Sequence, residues 1–118
     1  MEKLVFTICG ERGRTNRLFI DGRELHPERS LKVCNHSPSG FNWGYLGSGP
    51  AQTALAICVD IMPHEWMAKA LYQSFKFDFV AGWQGDQFKV TIDITDFLIS
   101  HRGLYELAKE REQYRGNK

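Results

Sequence analysis

The chain has 118 residues, of which 42% are hydrophobic and 25% charged, and its formal net charge is +1. This length suits a single domain with one core. The near-zero net charge excludes a global electrostatic field that would attract nucleic acid or acidic lipid. Three cysteines, Cys9, Cys34 and Cys58, are an odd number without zinc-type spacing, which argues against a disulfide framework and a structural metal site. We therefore expect buried free thiols, no metal and no cofactor.

The N-terminal segment is the one place where a targeting signal could be sought. Its apolar stretch of about six residues is too short for a secretory signal and far too short for a membrane span. The sequence therefore predicts a cytoplasmic protein without membrane association.

Alternating apolar residues predict strands in the first third of the chain. In Leu4 to Cys9 both sets of alternating residues are mostly apolar, which is typical of a strand covered on both faces. Arg17 to Ile20 is a second strand after the polar loop of residues 10–16. Asp21-Gly22 is a strong turn signal, followed by a short return at Leu25, and Leu31 to Asn35 is a candidate third strand. These segments predict an antiparallel meander.

A glycine- and aromatic-rich segment, Gly40 to Gln52, leads into a predicted helix. Pro50 suits the first turn, with Ser48 or Gly49 as the N-cap and Gln52 close enough for a capping contact. Residues 51–62 are apolar on nearly every side. A helix of this composition is buried at the centre of a domain.

A second helix is predicted after Pro63, from about His64 to Ala81. Its apolar stripe recurs every four residues and consists of Met67, Leu71, Phe75 and Phe79. Residues 75–79, FKFDF, also alternate like a strand. Because no turn residue separates them from Leu71, we favour the continuing helix.

The remaining sequence predicts a short edge strand, Phe88 to Thr91, and a helix through His101 that begins with the capping pair Asp93 and Asp96. Gly103 is expected to end this helix. The predicted organisation is one α+β domain over residues 1–103, with a polar helical or frayed tail over residues 104–118. In this fold class a small N-terminal antiparallel sheet packs against two central helices, followed by a short C-terminal helix.

The run HSPSGFNWGYLGSGPAQTALAI, His36 to Ile57, resembles the hallmark of a small family of bacterial and phage-borne proteins known only as a domain of unknown function. The flanking segments are similar too: the Asp-Gly-Arg turn with a following Leu and Pro, Asp21 to Pro27, and the LYQxFKxxxxA pattern, Leu71 to Ala81. The resemblance covers residues 17–100. It implies a phage, prophage or mobile-element setting and assigns no activity.

The glycine-rich segment is also the candidate binding site, because backbone N–H groups and the positive end of a helix dipole converge where such a turn enters a helix. It lacks the Lys-Ser/Thr of a Walker loop, and Pro50 removes one N–H donor. An anion would therefore need a cation from the N-terminal hairpin, where the candidates are Arg14, Arg17 and Arg23. The predicted ligand-binding residues are Phe41, Trp43, Gly44, Tyr45, Gly47, Ser48, Gly49 and Gln52.

The aromatic residues of this segment have two interpretations. Phe41, Trp43 and Tyr45 alternate, so in an extended chain they would share one face and could stack a planar ring. They could equally form a lid over the apolar helix, with the glycines permitting tight turns.

Other chemistries are less well supported by the residue pattern. Cys34 and His36 lie two residues apart, which is a poor geometry for a nucleophile and its base. The hairpin arginines could form a nucleic-acid patch, but Glu11, Asp21 and Glu24 offset their charge. We predict no catalytic residue and no nucleic-acid partner.

The favoured hypothesis is a non-catalytic phage- or mobile-element-type protein that binds a small anionic or nucleotide-like ligand at the glycine and aromatic segment. The alternative is a protein-binding inhibitor or accessory factor that antagonises a host defence complex. It would use exposed aromatic and charged surface, including the polar tail.

Overall fold

The computed structural model describes residues 3–116, in which a four-stranded antiparallel sheet packs against helices. The strands are β1 Val5–Glu11, β2 Arg17–Ile20, β3 Arg23–Leu25 and β4 Gln87–Asp93, in the spatial order β3-β2-β1-β4. The helices are α1 Glu28–Val33, α2 Ser48–Ile61, α3 Glu65–Asp78, α4 Thr95–Ser100 and α5 Arg102–Gly116, with a 3₁₀ turn over Val80–Gly82. The predicted α+β class is confirmed. Residues 1–2 of the predicted domain and 117–118 of the predicted tail lie outside the described residues.

The first two predicted strands, the turn at Asp21-Gly22 and the short return at Leu25 are confirmed. β1 pairs with β2 in the register Ile8↔Ile20, and β2 continues into β3 through Asp21-Gly22. Both turn residues have positive φ, 51° and 81°, the geometry that suits a two-residue hairpin. β4 pairs with the other side of β1, so the predicted strand near Phe88 is indeed an edge strand and is longer than expected.

The prediction that β1 is covered on both faces is wrong. Phe6 and Ile8 are buried against the helices, whereas Val5 on the opposite face is 49% exposed. Thr7 and Cys9 share that open face and are half-buried. Apolar residues on both sides of a strand therefore do not require two covering layers, because an apolar side chain can remain on the surface of a soluble domain.

The candidate strand Leu31 to Asn35 is also wrong, because residues 31–33 are the second half of the short helix α1 and residues 34–35 follow it. The Leu31 N–H donates to the Pro27 carbonyl oxygen, and the Ser30 hydroxyl donates to the same oxygen. Pro27 is the N-cap of α1, and Cys34, its C-cap, has an extended backbone. Two apolar residues two apart are too few to distinguish a strand from one helical turn.

Helix α2 occupies the centre of the core, as predicted. Its residues from Gly49 to Val59 are all buried. The N-cap is Gly47 rather than Ser48 or Gly49, so Pro50 is the third helical residue and still lies in the first turn, where no intrahelical N–H is needed. Gln52 makes no capping contact; its amide has another role described below.

Helix α3 confirms the predicted apolar stripe and excludes the strand alternative for residues 75–79. Met67, Leu71 and Phe75 are buried. The ring of Phe75 packs edge-on against Phe97 of α4, with centroids 5.6 Å apart. The main helix ends at Asp78, a little before the predicted position.

The C-terminal region departs from the prediction at Gly103. Asp93 Oδ1 accepts from the backbone N–H and the hydroxyl of Thr95, at 3.0 and 2.6 Å, which stabilises the start of α4. The N-cap is Ile94, which makes no side-chain cap, so the predicted capping pair of Asp93 and Asp96 is not formed among the described residues. Gly103 does not end a helix; it is the second residue of α5. None of the described α5 residues is buried, although Tyr105 contacts the ring of Trp66 on α3.

Candidate functional site

Three loops meet at one end of the sheet and form the surroundings of the glycine and aromatic segment. Arg12, just after β1, donates to the Trp43 carbonyl oxygen at 2.7 Å and to the Gly85 carbonyl oxygen at 2.9 Å. It also donates to Asn42 Oδ1 at 3.2 Å. The Asn16 amide donates to the Phe41 carbonyl oxygen at 2.9 Å. The β1–β2 loop, the α2 entry loop and the loop before β4 are thereby fixed together.

Trp43 is a core residue rather than an accessible stacking surface. Its side chain is 0% exposed, and its indole N–H donates to the Gly85 carbonyl oxygen at 3.0 Å. The ring packs edge-on against Phe88, with centroids 4.9 Å apart, and the Arg12 guanidinium lies 4.7 Å from its centroid. A ligand cannot stack on Trp43 in this arrangement.

The expectation that three aromatic residues share one face is wrong. Phe41 and Trp43 point into the core, whereas Tyr45 is 47% exposed. Gly44 lies between them with φ +89°, and a Cβ at this position would lie 2.8 Å from the Trp83 carbonyl oxygen. The chain reverses at this residue, so the alternation does not continue past it.

Two further glycines allow the Tyr45 ring to lie across the first turn of α2. A Cβ on Gly47 would lie 2.7 Å from Tyr45 Cε2, and a Cβ on Gly49 would lie 2.8 Å from the Tyr45 hydroxyl oxygen. Both positions need a residue without a side chain for this close approach. The position of the Tyr45 ring thus accounts for Gly47, whereas Gly49 also lies close to Asn42, with 2.8 Å between an added Cβ and Asn42 Cβ.

Gln52 positions the loop and does not face solvent. It is fully buried, and its Oε1 accepts from the backbone N–H groups of His36 and Ser37 at 2.7 and 3.1 Å. Its Nε2 donates to Ser30 Oγ at 3.0 Å. One amide side chain therefore joins α1, the loop and α2.

Thr53 has a similar positioning role and was not identified from sequence. Its hydroxyl oxygen accepts from the Asn42 N–H at 2.9 Å and lies 2.7 Å from the Asn42 carbonyl oxygen. The available sequence signal was a pair of polar residues, Gln52 and Thr53, inside an otherwise apolar helix. Buried polar groups of this kind are normally hydrogen-bonded.

A cavity of about 430 Å³ lies on the outer side of the segment. Its lining is mostly polar and consists of Arg14, Thr15, Asn16, Ser37, Ser39, Phe41, Asn42, Tyr45, Ser48 and Gly49. Four predicted ligand-binding residues therefore line it: Phe41, Tyr45, Ser48 and Gly49. Trp43, Gly44, Gly47 and Gln52 do not line it.

The three candidate cations are separated by the structure. Arg14 lines the cavity and makes no ion pair with any residue between 3 and 116. Arg17 lies 3.0 Å from Glu24 Oε1, and this hydrogen bond raises the pKa of Arg17 and lowers that of Glu24. Arg23 pairs with Asp60 at 2.8 Å. Only Arg14 of the three is placed to meet an anion in the cavity.

The start of α2 adds a second favourable electrostatic feature. Ser48 and Gly49 are the first two helical residues, and their N–H groups have no intrahelical acceptor. The first turn contains no acidic residue and no side-chain cap. The positive end of the helix dipole is therefore not offset by a neighbouring carboxylate.

The Cys34 and His36 pair does not form a hydrogen-bonded dyad. The ring Nε2 of His36 lies 2.6 Å from the Tyr72 hydroxyl, and partial burial raises the pKa of Tyr72. Cys34 is exposed at the end of α1. No cluster of three or more potential metal ligands occurs in the part of the chain that the structure describes.

Comparisons with known proteins give one match. A model of the family DUF6166, described as a family of unknown function, matches residues 9–100. No curated protein and no solved structure matches the chain. Among residues 3–116, no helix has the length and apolar character needed to cross a membrane.

Proposed function

The chain belongs to the DUF6166 family, whose function is unknown, and we propose that it is a non-catalytic protein that binds a small anionic or nucleotide-like ligand. The proposed site is the cavity beside the start of α2. One observation carries the proposal: Arg14, which has no ion pair within residues 3–116, lines the same cavity as the first-turn residues Ser48 and Gly49. A guanidinium and a helix N-terminus both favour a bound anion.

The polar lining supplies further donors. Ser37 and Ser39 have hydroxyl groups 3.4 Å apart, and Ser48 contributes a third hydroxyl to the same cavity. Serine hydroxyls can donate to phosphate or carboxylate oxygens. Because no Asp or Glu lines the cavity, a bound anion would meet no like charge from the lining.

The exposed part of Tyr45 supports the nucleotide-like version of the proposal. Its ring is held over Gly47 and Gly49 and is 47% exposed, so a planar group can pack against it while the anionic group meets Arg14. The volume, about 430 Å³, lies in the range of small-molecule sites. A nucleoside monophosphate has the size and the two chemical parts that this arrangement requires.

The setting is part of the same proposal. The likeness of the segment 36–57 to phage-borne proteins supports a phage, prophage or mobile-element context, and a cytoplasmic location accords with a nucleotide-like ligand. In that context the protein would sequester or sense a signal molecule. Native mass spectrometry of the protein from its own host lysate, compared with the denatured mass, would identify a bound ligand.

Calorimetric titration with AMP, adenosine and inorganic phosphate tests the binding site. We expect AMP to bind, Arg14→Ala to weaken AMP binding by about tenfold or more through loss of a charged hydrogen bond, and Arg14→Lys to retain part of it. Arg29→Ala is the matched control, because Arg29 is an exposed arginine outside this cavity. Equal binding by the wild type and Arg14→Ala, or no binding of either anion, would contradict the proposal.

A protein-binding role is the second candidate, favoured by large apolar side chains on the outer helices. Phe77 is 67% exposed, Ile99 66%, and Leu104 and Leu107 44% each. A protein that inhibits a host complex would use such a surface together with the charged residues of α5. Pull-down from the host tests it: a stoichiometric partner should be recovered, and deleting residues 103–118 should reduce its recovery. Failure to recover any partner would count against this role.

A further inference from the structure

A second cavity, of about 420 Å³, lies where the start of α3 meets the junction of α4 and α5. Unlike the cavity beside α2, it is lined mainly by apolar groups. The lining includes Leu4, His64, Met67, Leu98, Arg102 and Tyr105. No residue is common to the two cavities, so this site is independent of the proposed function.

The apolar surface of this cavity is held in place by packing. Met67 is only 5% exposed and belongs to the core, while Leu4, Leu98 and Tyr105 are half-buried against it. A ligand with an apolar body would cover the remaining exposed part of these side chains. Removing this apolar area from water favours binding.

Aromatic stacking orders one wall of the cavity. The rings of His64 and Trp66 are stacked at 11°, with centroids 5.4 Å apart. Trp66 in turn contacts Tyr105 with centroids 5.7 Å apart. The cavity wall is therefore assembled before any ligand binds, which lowers the cost of ordering side chains on binding.

Positive charge and donor groups lie at the rim of the same cavity. The side chains of Arg102 and His64 line it, and neither side chain makes a hydrogen bond or ion pair with any residue between 3 and 116. The neighbouring His101, by contrast, lies 2.8 Å from Asp78 Oδ2. His64 is also the N-cap of the 14-residue helix α3 and makes no side-chain cap, so the N–H groups of Glu65 and Trp66 have no acceptor within the helix. Glu65 is exposed in that turn and pairs with neither Arg102 nor His64 within the described chain.

We propose that this cavity binds a small organic carboxylate that carries an apolar body. The carboxylate oxygens accept hydrogen bonds from the Arg102 guanidinium, whose planar fork matches a carboxylate, and from the His64 ring. The apolar body packs against Met67, Leu98 and Tyr105. An inorganic anion would leave this apolar surface exposed, and a neutral apolar compound would form no charged hydrogen bond with Arg102.

The test uses the full-length protein and four probes: phenylacetate, octanoate, phenylacetamide and acetate. Amide chemical shifts and calorimetry measure binding. We expect phenylacetate or octanoate to bind and to perturb amides of residues 64–67 and 102–105. Phenylacetamide, which lacks the charge, and acetate, which lacks the body, should each bind at least about tenfold more weakly. Binding of phenylacetamide as tight as that of phenylacetate would overturn the proposal, as would no shift with either larger carboxylate.

Two variants locate the charge contact. Arg102→Ala should lower affinity for the preferred carboxylate by about tenfold or more, and Arg102→Lys should recover part of it. Lys69→Ala, which removes an exposed cation of α3 outside the cavity, should bind like the wild type. Because Arg102 is exposed, its variants should retain the wild-type melting temperature. Unchanged affinity in folded Arg102→Ala would exclude Arg102 as the carboxylate partner and overturn the proposal.

Discussion

The inner and outer sides of the glycine and aromatic segment differ in their surroundings, although only one residue, Gly44, separates Trp43 from Tyr45. On the inner side, Trp43 is fully buried and hydrogen-bonded to Gly85. On the outer side, Tyr45 is 47% exposed and lines the polar cavity. Gly44 turns the chain between them. One short segment thus completes the core with one aromatic ring and lines a solvent-facing cavity with the next.

This difference shows that each aromatic residue of the segment has to be interpreted separately as a core residue or a binding residue. The composition of the segment is compatible with both binding and core packing. The structure places Trp43 in the core, and binding at Tyr45 is our proposal. The inner residues should respond to substitution through stability. The outer residues should respond through ligand affinity.

The largest expected effect is that of Trp43→Ala. Truncating a buried tryptophan leaves a cavity and should lower the free energy of unfolding by about 3–5 kcal/mol. Tyr45→Ala is the matched control, and it should cost about 1 kcal/mol or less, because the removed ring is half exposed. Urea denaturation at neutral pH measures both values. Similar losses in the two variants would remove the distinction between the two sides.

A smaller effect is expected at the turn between them. Gly44→Ala places a Cβ 2.8 Å from the Trp83 carbonyl oxygen at φ +89°, so strain and steric overlap should together cost about 2–3 kcal/mol. Gly22→Ala is the control, because Gly22 has φ +81° with no atom within 4 Å of the added Cβ. It should cost about 1 kcal/mol. Equal losses of unfolding free energy in the two variants would show that the close approach to Trp83 adds no destabilisation.

The loss of folding stability at low pH should come from carboxyl groups of the sheet. Neither side of the glycine and aromatic segment should contribute to it. Hydrogen bonds from Lys3 and from the Thr7 N–H lower the pKa of Asp21, and the Thr95 hydroxyl and N–H lower that of Asp93. A carboxyl whose pKa is lower in the folded state stabilises the fold above its unfolded-state pKa, about 4, and this stability is lost as the pH falls through the folded-state value.

Chemical denaturation at neutral pH and in steps below about pH 4 measures that response. Asp21→Asn should lower stability at neutral pH and flatten its decline in acid. Ser48→Ala, on the outer side of the segment, should leave the shape of the pH curve unchanged. A decline as steep in Asp21→Asn as in the wild type would assign the acid response to other groups.

Sequence periodicity predicted most of the fold because the long elements carry strong patterns. The apolar α2 and the four-residue stripe of α3 were identified together with the hairpin turn at Asp21-Gly22. Helix α1 was missed because Leu31 and Val33 are too few to define a period, and its start depends on Pro27 and Ser30. Gly103 was misjudged because α5 packs on α3 through Tyr105, a contact that sequence spacing does not show.

The candidate site was predictable only in part. The hairpin lies beside the glycine and aromatic segment, and Arg14 was among the cations proposed for it. The ion pairs of Arg17 with Glu24 and of Arg23 with Asp60 depend on tertiary packing. The contacts of Arg12 depend on it as well. Local sequence does not reveal which of several arginines finds a partner distant in the chain.

The hydrogen bonds of Arg12 also determine when the contacts around the cavity beside α2 can form during folding. Arg12 contacts the Gly85 carbonyl oxygen across a sequence separation of 73 residues, and Trp43 contacts the same oxygen across 42. Contacts this distant require closing large loops, which slows their formation during folding. On the ribosome, the cavity beside α2 therefore cannot reach its final shape until the loop before β4 has emerged, when most of the chain has already been synthesised.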